Sequence, residues 1–171
     1  FLLASVPALA TEPPAPFALR DGDRVVFYGD SITQEGGYAR FVEEYVRTRF
    51  PGWDVRFHNA GVGGDTVRGG GAGPIDVRLE RDVVAWKPTV VTIMLGMNDG
   101  GYGAFDPNLH KGFVDNTTKM LQMSKDAGVR VVLIVPEKID SRLVRYASEA
   151  YNEDLLEVGV TILRFRDGLL H

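Results

Sequence analysis

Cysteine is absent from the 171 residues, which excludes disulfides, zinc–thiolate sites and a cysteine nucleophile. Histidine is scarce: His58, His110 and His171 are the three imidazoles that a general base or a metal site has to draw on. An excess of basic charge is lacking too. The net charge of −4 gives no general attraction to nucleic acid or to an anionic membrane. The apolar stretch at residues 1–10 is too short to span a bilayer, so no membrane span is expected. Phosphate-binding signatures are also missing. No G-x-x-x-x-G-K-[ST] loop occurs, and Thr66 stands where G-x-G-x-x-G needs its last glycine.

What is present suits one globular domain. The length allows a sizeable core, and 44% hydrophobic with 25% charged residues is ordinary for a soluble fold. Residues 1–10 read as the tail of a secretory signal, with Ala8-Leu9-Ala10 fitting an A-x-A cleavage site; an apolar terminal strand or arm is the other reading. A Pro-rich lead at residues 11–20 and a single domain at 21–171 follow. The expected location is secreted, extracellular or periplasmic. The chain has no initiator Met and is expected to be a piece of a longer protein, incomplete at its C-terminus as well.

Periodicity gives the architecture. Arg24-Val25-Val26-Phe27-Tyr28 reads as a buried strand, and Tyr38, Phe41, Val42, Tyr45 and Val46 repeat at helical spacing until Pro51-Gly52. Further strands are expected at 54–58, 89–95, 129–135 and 160–165. Helices are expected at 75–86, around Leu109 to Leu121, and around Leu143 to Leu155. Alternating, nearly all-apolar strands with helices between them mean a parallel sheet covered on both faces. Ligands then bind beyond the carboxyl ends of the strands.

The residues at those ends are the candidates. Ser31 follows the first strand in Gly29-Asp30-Ser31-Ile32-Thr33, where it is either a nucleophile or, with Thr33, a helix cap. Asn98, in Gly96-Met97-Asn98-Asp99, is either an oxyanion donor or part of a self-bonded turn. The glycine-rich stretch at 59–66 presents N–H groups to an anion or is simply a loop. His171 follows the last strand with Asp167 nearby, an arrangement in which the carboxylate orients the imidazole.

Taken together, Gly29-Asp30-Ser31-Ile32-Thr33, residues 59–66 and Gly96-Met97-Asn98-Asp99 resemble the SGNH/GDSL hydrolases in order and in placement after strands. The run Arg78-Leu79-Glu80-Arg81-Asp82-Val83 adds to the likeness, which is densest from about residue 24 to 105. The resemblance implies a flavodoxin-like α/β/α three-layer sandwich with five parallel strands. It implies Ser31 as nucleophile, with oxyanion donors from the Ser31 and Gly64 backbone N–H groups and the Asn98 amide. His171 is implied as base and Asp167 as its orienting acid. The family's Asp-x-x-His spacing is not met, because Gly168 lies three before His171 and Asp167 four before it.

The implied activity is that of a serine esterase needing neither metal nor organic cofactor, with a small-molecule or glycan ester as substrate. Secretion favours an O-acetylated carbohydrate. The alternative is a non-catalytic glycan- or lipid-binding module with a degraded triad. Two further rivals are a phosphatase reading of Asp21-Gly22-Asp23-Arg24-Val25 and a divalent-metal hydrolase built on Asp30, Asp65 and Asp99.

Overall fold

Runs of Val, Ile and Phe become strands because their side chains leave water on both faces of one sheet. The computed structural model describes residues 17–101, 106–135, 161–166 and 169–170. Strand β1 (Arg24–Gly29) leads into the short helix α1 (Ser31–Glu35) and then α2 (Gly37–Arg49). Strand β2 (Arg56–Gly61) is followed by a small hairpin, β3 (Gly69–Gly70) and β4 (Gly73–Pro74). Helix α3 (Ile75–Asp82), a 3₁₀ turn (Val84–Trp86) and β5 (Val90–Met94) come next. Helix α4 (Pro107–Asp126) precedes β6 (Arg130–Val135), and β7 (Thr161–Arg166) and β8 (Leu169–Leu170) follow.

The sheet order is β2-β1-β5-β6-β7-β8. Strands β2, β1, β5 and β6 form its body, all mutually parallel; β7 adds in parallel beside β6, and β8 pairs antiparallel with β7. Among the parallel strands this is the 2-1-3-4-5 order of flavodoxin-like folds, whose ligand crevice opens where the winding reverses, between β1 and β5.

Alternation along the strands divides the core in two. Val26 and Tyr28 of β1 join Leu79 of α3 and Phe113, Met120 and Leu121 of α4 on one face. Val25 and Phe27 join Ala39 and Val46 of α2 on the other. This is the expected three-layer arrangement. Among the described residues no helix is long and apolar enough to cross a membrane.

Two boundaries differ from the sequence expectation. Strand β2 starts and ends later than 54–58, because its pairing with β1 runs from Arg24↔Arg56 to Gly29↔Gly61. Asn59, Ala60 and Gly61 are therefore strand residues. Gly61 is required there, since a Cβ would stand 2.5 Å from the Thr33 carbonyl carbon and overlap the Gln34 nitrogen of α1. The helix expected over 75–86 stops at Asp82 and continues as the 3₁₀ turn, which ends at Lys87 in the left-handed region (φ 51°). The helix expected near Leu143 to Leu155, the signal remnant and most of the Pro-rich lead lie outside the described residues.

The amino ends of the strands are clasped by charge. Asp23, buried, accepts from the Arg130 guanidinium of β6 (2.5 and 2.6 Å), the Thr89 hydroxyl (2.7 Å) and the Arg20 N–H (2.7 Å). Burial alone would raise this carboxyl; the Arg130 and Thr89 bonds outweigh it and hold Asp23 below the usual range. The Asp21-Gly22-Asp23 run thus ties strands together at the end of the sheet opposite Ser31, which removes the phosphatase reading.

Candidate active site

Ser31 is the first residue of α1 and is half-buried. The helix is capped by Asp30, whose Oδ1 accepts the Ile32 N–H at 3.0 Å. The Ser31 hydroxyl is therefore not the capping group, and neither is Thr33. The buried Thr33 hydroxyl instead bonds Tyr38 Oη at 2.9 Å. Of the two readings of Ser31, the structure assigns the cap to its neighbour.

The glycine-rich segment turns back over this helix start. Val62 N–H donates to Gly29 O (3.0 Å), Gly63 N–H to Gln34 Oε1 (2.8 Å) and Asp65 N–H to Val62 O (3.2 Å). A Cβ built on Gly63 would lie 4.0 Å from Ser31 Cβ, so this stretch is seated against the serine. Gly64 closes the turn at φ +73° with open space around its Cβ position, a backbone that other residues adopt only under strain. Asn59, first read only as part of a loop, holds the two pieces together: its Nδ2 donates to Thr33 O (2.6 Å) and its Oδ1 accepts the Gly61 N–H (2.9 Å).

The turn after β5 brings the third piece. Asn98 Nδ2 donates to Asp65 O at 2.9 Å, and Asp99 Oδ1 accepts the Val67 N–H at 3.0 Å. Two cross-loop bonds thus join the β2 and β5 exits. The Asn98 amide bonds across to another loop, so the self-bonded turn does not account for it. Ser31, Gly64 and Asn98 all lie at the carboxyl end of the sheet, at the β1/β5 reversal.

Burial pushes the Asp99 carboxyl up to about 6; the Val67 N–H and Arg68 oppose this, while Asp65 and Asp30 add to it. An acid whose folded value exceeds its ordinary 3.8 contributes stability that is complete below that value and is lost as pH rises through about 6. Asp99→Asn keeps an oxygen for Val67 N–H and does not titrate. Its melting temperature relative to wild type is expected to rise between pH about 4 and about 7. Thermal unfolding across that range tests this, and a constant difference would refute it.

Asp65 is buried among charges. Its Oδ2 is paired with Arg78 Nη1 of α3, and Arg78 is itself fully buried. Arg78 also donates from Nη2 to Ala60 O (2.5 Å) and from Nε to Asp82 Oδ2 (2.9 Å), with its guanidinium 4.6 Å from the Tyr28 ring centroid. Burial raises the Asp65 carboxyl, and Arg78 works against it. In the sequence Arg78 stands out only as the first residue of the run Arg78-Leu79-Glu80-Arg81-Asp82-Val83. Its signal was visible, however, as an arginine on the Ile75-Arg78-Leu79 stripe, the face that α3 turns inward.

The carboxylates do not assemble a metal centre. Asp30 caps a helix, Asp65 is held by Arg78, and Asp99 accepts from Val67. Among the described residues no group of three or more His, Asp or Glu side chains is placed to hold a metal ion. His58 stacks on Trp86 with ring centroids 3.7 Å apart, and burial lowers its basicity against the pull of Asp82. His110 lies in the first turn of α4, its N–H donating to Asp106 O at 3.0 Å. Trp53 stacks on Phe50 with ring centroids 4.0 Å apart. Asp167 and His171 lie outside the described residues.

Comparison with known proteins follows the same lines. A model of the GDSL-like lipase/acylhydrolase family matches residues 27–166. An acetylxylan esterase of Geobacillus stearothermophilus is 34% identical over 46% of this chain and 40% of its own length. A cardiolipin synthase A of Buchnera aphidicola is 42% identical over 33% of this chain and 12% of its own length. The chain thus spans less than half of either curated relative. Among solved structures, an acetyl-xylooligosaccharide esterase, also from a Geobacillus, superposes with a TM-score of 0.72 at 23% identity. That likeness covers 85% of this chain and 77% of the other, and at this identity it speaks for the fold.

Proposed function

The chain belongs to the GDSL-like lipase/acylhydrolase family, and from that premise we propose that it hydrolyses carboxylic esters by acyl transfer through Ser31. The observation that carries this reading is the convergence of three strand exits: Ser31 beside the Gly63 seat, Gly64 next to it, and the Asn98 amide tied to Asp65 O.

In the proposed reaction Ser31 Oγ attacks the acyl carbon while the base takes its proton. The carbonyl oxygen becomes an oxyanion, stabilised by the Ser31 and Gly64 N–H groups and by the Asn98 amide. The C–O bond to the alcohol breaks, the base returns the proton to the leaving oxygen, and Ser31 is left acylated. Water then repeats the cycle and releases the acid. His171 is proposed as the base, with Asp167 orienting it.

The names of the relatives support a substrate class. Two of them are named as esterases of acetylated xylan or xylo-oligosaccharide, so an O-acetylated carbohydrate is the substrate proposed here. The Ala8-Leu9-Ala10 site supports an exported protein acting on such material outside the cytoplasm.

Fluorophosphonate labelling with peptide mapping tests this against the binding-module reading. Label is expected on Ser31, at a rate that falls in His171→Ala and is unchanged in His58→Ala and His110→Ala. No label on wild type would favour a binding module. Slow labelling in His58→Ala or His110→Ala alone would move the base to that residue.

A further inference from the structure

A fully buried arginine is costly to desolvate, and a buried ion pair is weak evidence of stability on its own. Arg78 therefore calls for a reason beyond packing. Its guanidinium reaches the Asp65 carboxylate, the Ala60 carbonyl of β2 and the Asp82 carboxylate, and it lies over the Tyr28 ring of β1. One side chain from α3 thus fixes the end of β2 and the loop leaving it. Asp65, the loop residue it grips, is bonded outward as well: its carbonyl oxygen accepts the Asn98 amide, and its own N–H donates to Val62 O.

We propose that Asp65, gripped by Arg78, is the positioning residue of the oxyanion hole, setting two of its donors together. Through its carbonyl it aims the Asn98 amide, and through its side chain it holds the turn whose preceding residue is Gly64. This rests on the reading of Gly64 and Asn98 as oxyanion donors. Asp65 touches no reacting atom in this scheme. Its influence is geometric, and a displacement of about 1 Å in such a group costs about 10²-fold in rate.

The variants are Asp65→Asn, Arg78→Lys and the double variant Asp65→Asn/Arg78→Met, which leaves neither member of the buried pair behind, while Asp82 keeps its bonds from Arg81. Each is assayed for kcat and KM on a small aryl acetate. Turnover is expressed per site titrated with a fluorophosphonate, and thermal midpoints are recorded alongside. The double variant is expected to lose about 10²-fold in kcat per titrated site, with KM within about two-fold of wild type. Arg78→Lys retains the charge but not the planar fork, so it is expected to fall between the double variant and wild type.

Unchanged kcat per titrated site in the double variant, whatever its thermal midpoint, would overturn the positioning role and leave Arg78 a packing residue. So would a loss confined to KM. If wild type itself takes no label, the nucleophile assignment fails, and that outcome is distinct from either result.

Discussion

Ser31→Ala is expected to abolish ester hydrolysis while leaving the fold intact. The change removes one oxygen at the first position of α1, where Asp30 rather than Ser31 supplies the cap. Alanine is a good helix residue, and Ser31 is only half-buried, so stability is expected to stay within about 0.5 kcal/mol of wild type. The loss is then chemical. Removing the nucleophile of a serine hydrolase costs up to about 10⁶-fold in kcat, the remainder coming from oxyanion stabilisation and binding. The measurement is kcat/KM on aryl acetates, with circular dichroism and thermal unfolding on the same preparations. Activity in Ser31→Ala equal to wild type would remove the central claim, because no other residue in the proposed reaction can form the acyl-enzyme.

The second large effect is expected at Asn98. Asn98→Ala deletes an amide that bonds the Asp65 carbonyl and is assigned to the developing oxyanion. Loss of one such donor costs about 10²–10³ in kcat, because the charge it meets exists only in the transition state. KM should hardly move, since the ground-state carbonyl makes weaker use of the donor. Asn98→Asp is the sharper control. It keeps the side-chain shape but sets a carboxylate against the oxyanion, and it also loses the donor to Asp65 O. Activity below that of Asn98→Ala is expected there. A rise in KM with kcat unchanged would make Asn98 a binding residue and return the oxyanion to backbone groups alone.

Much of the scaffold was readable from the chain because burial on both faces forces a strand to be apolar throughout. Strands β1 and β5 are of this kind, and their expected positions agree with the structure to within two residues. Strand β2 runs later than its apolar residues suggest, because its second half, Asn59-Ala60-Gly61, contains residues that ordinarily mark a turn. Only pairing with β1 and contact with α1 make them strand. The break of α3 at Val83 was likewise invisible to periodicity, which ran smoothly on to Trp86.

At the site the division is similar. The sequence by itself determined that Ser31, the glycine-rich segment and Asn98 each follow a strand, and parallel topology then places all three at one end of the sheet. Asp167 and His171 rest on their place after the last expected strand and on the family resemblance, from whose Asp-x-x-His spacing they depart by one residue. Only the tertiary structure decided that Asp30 is the helix cap, because Asp, Ser and Thr are all competent capping residues and a linear pattern does not choose among them. Only the tertiary structure joined Asn98 to Asp65 and Asp65 to Arg78. Those bonds link residues on separate elements, and what makes them form is the distance between folded surfaces.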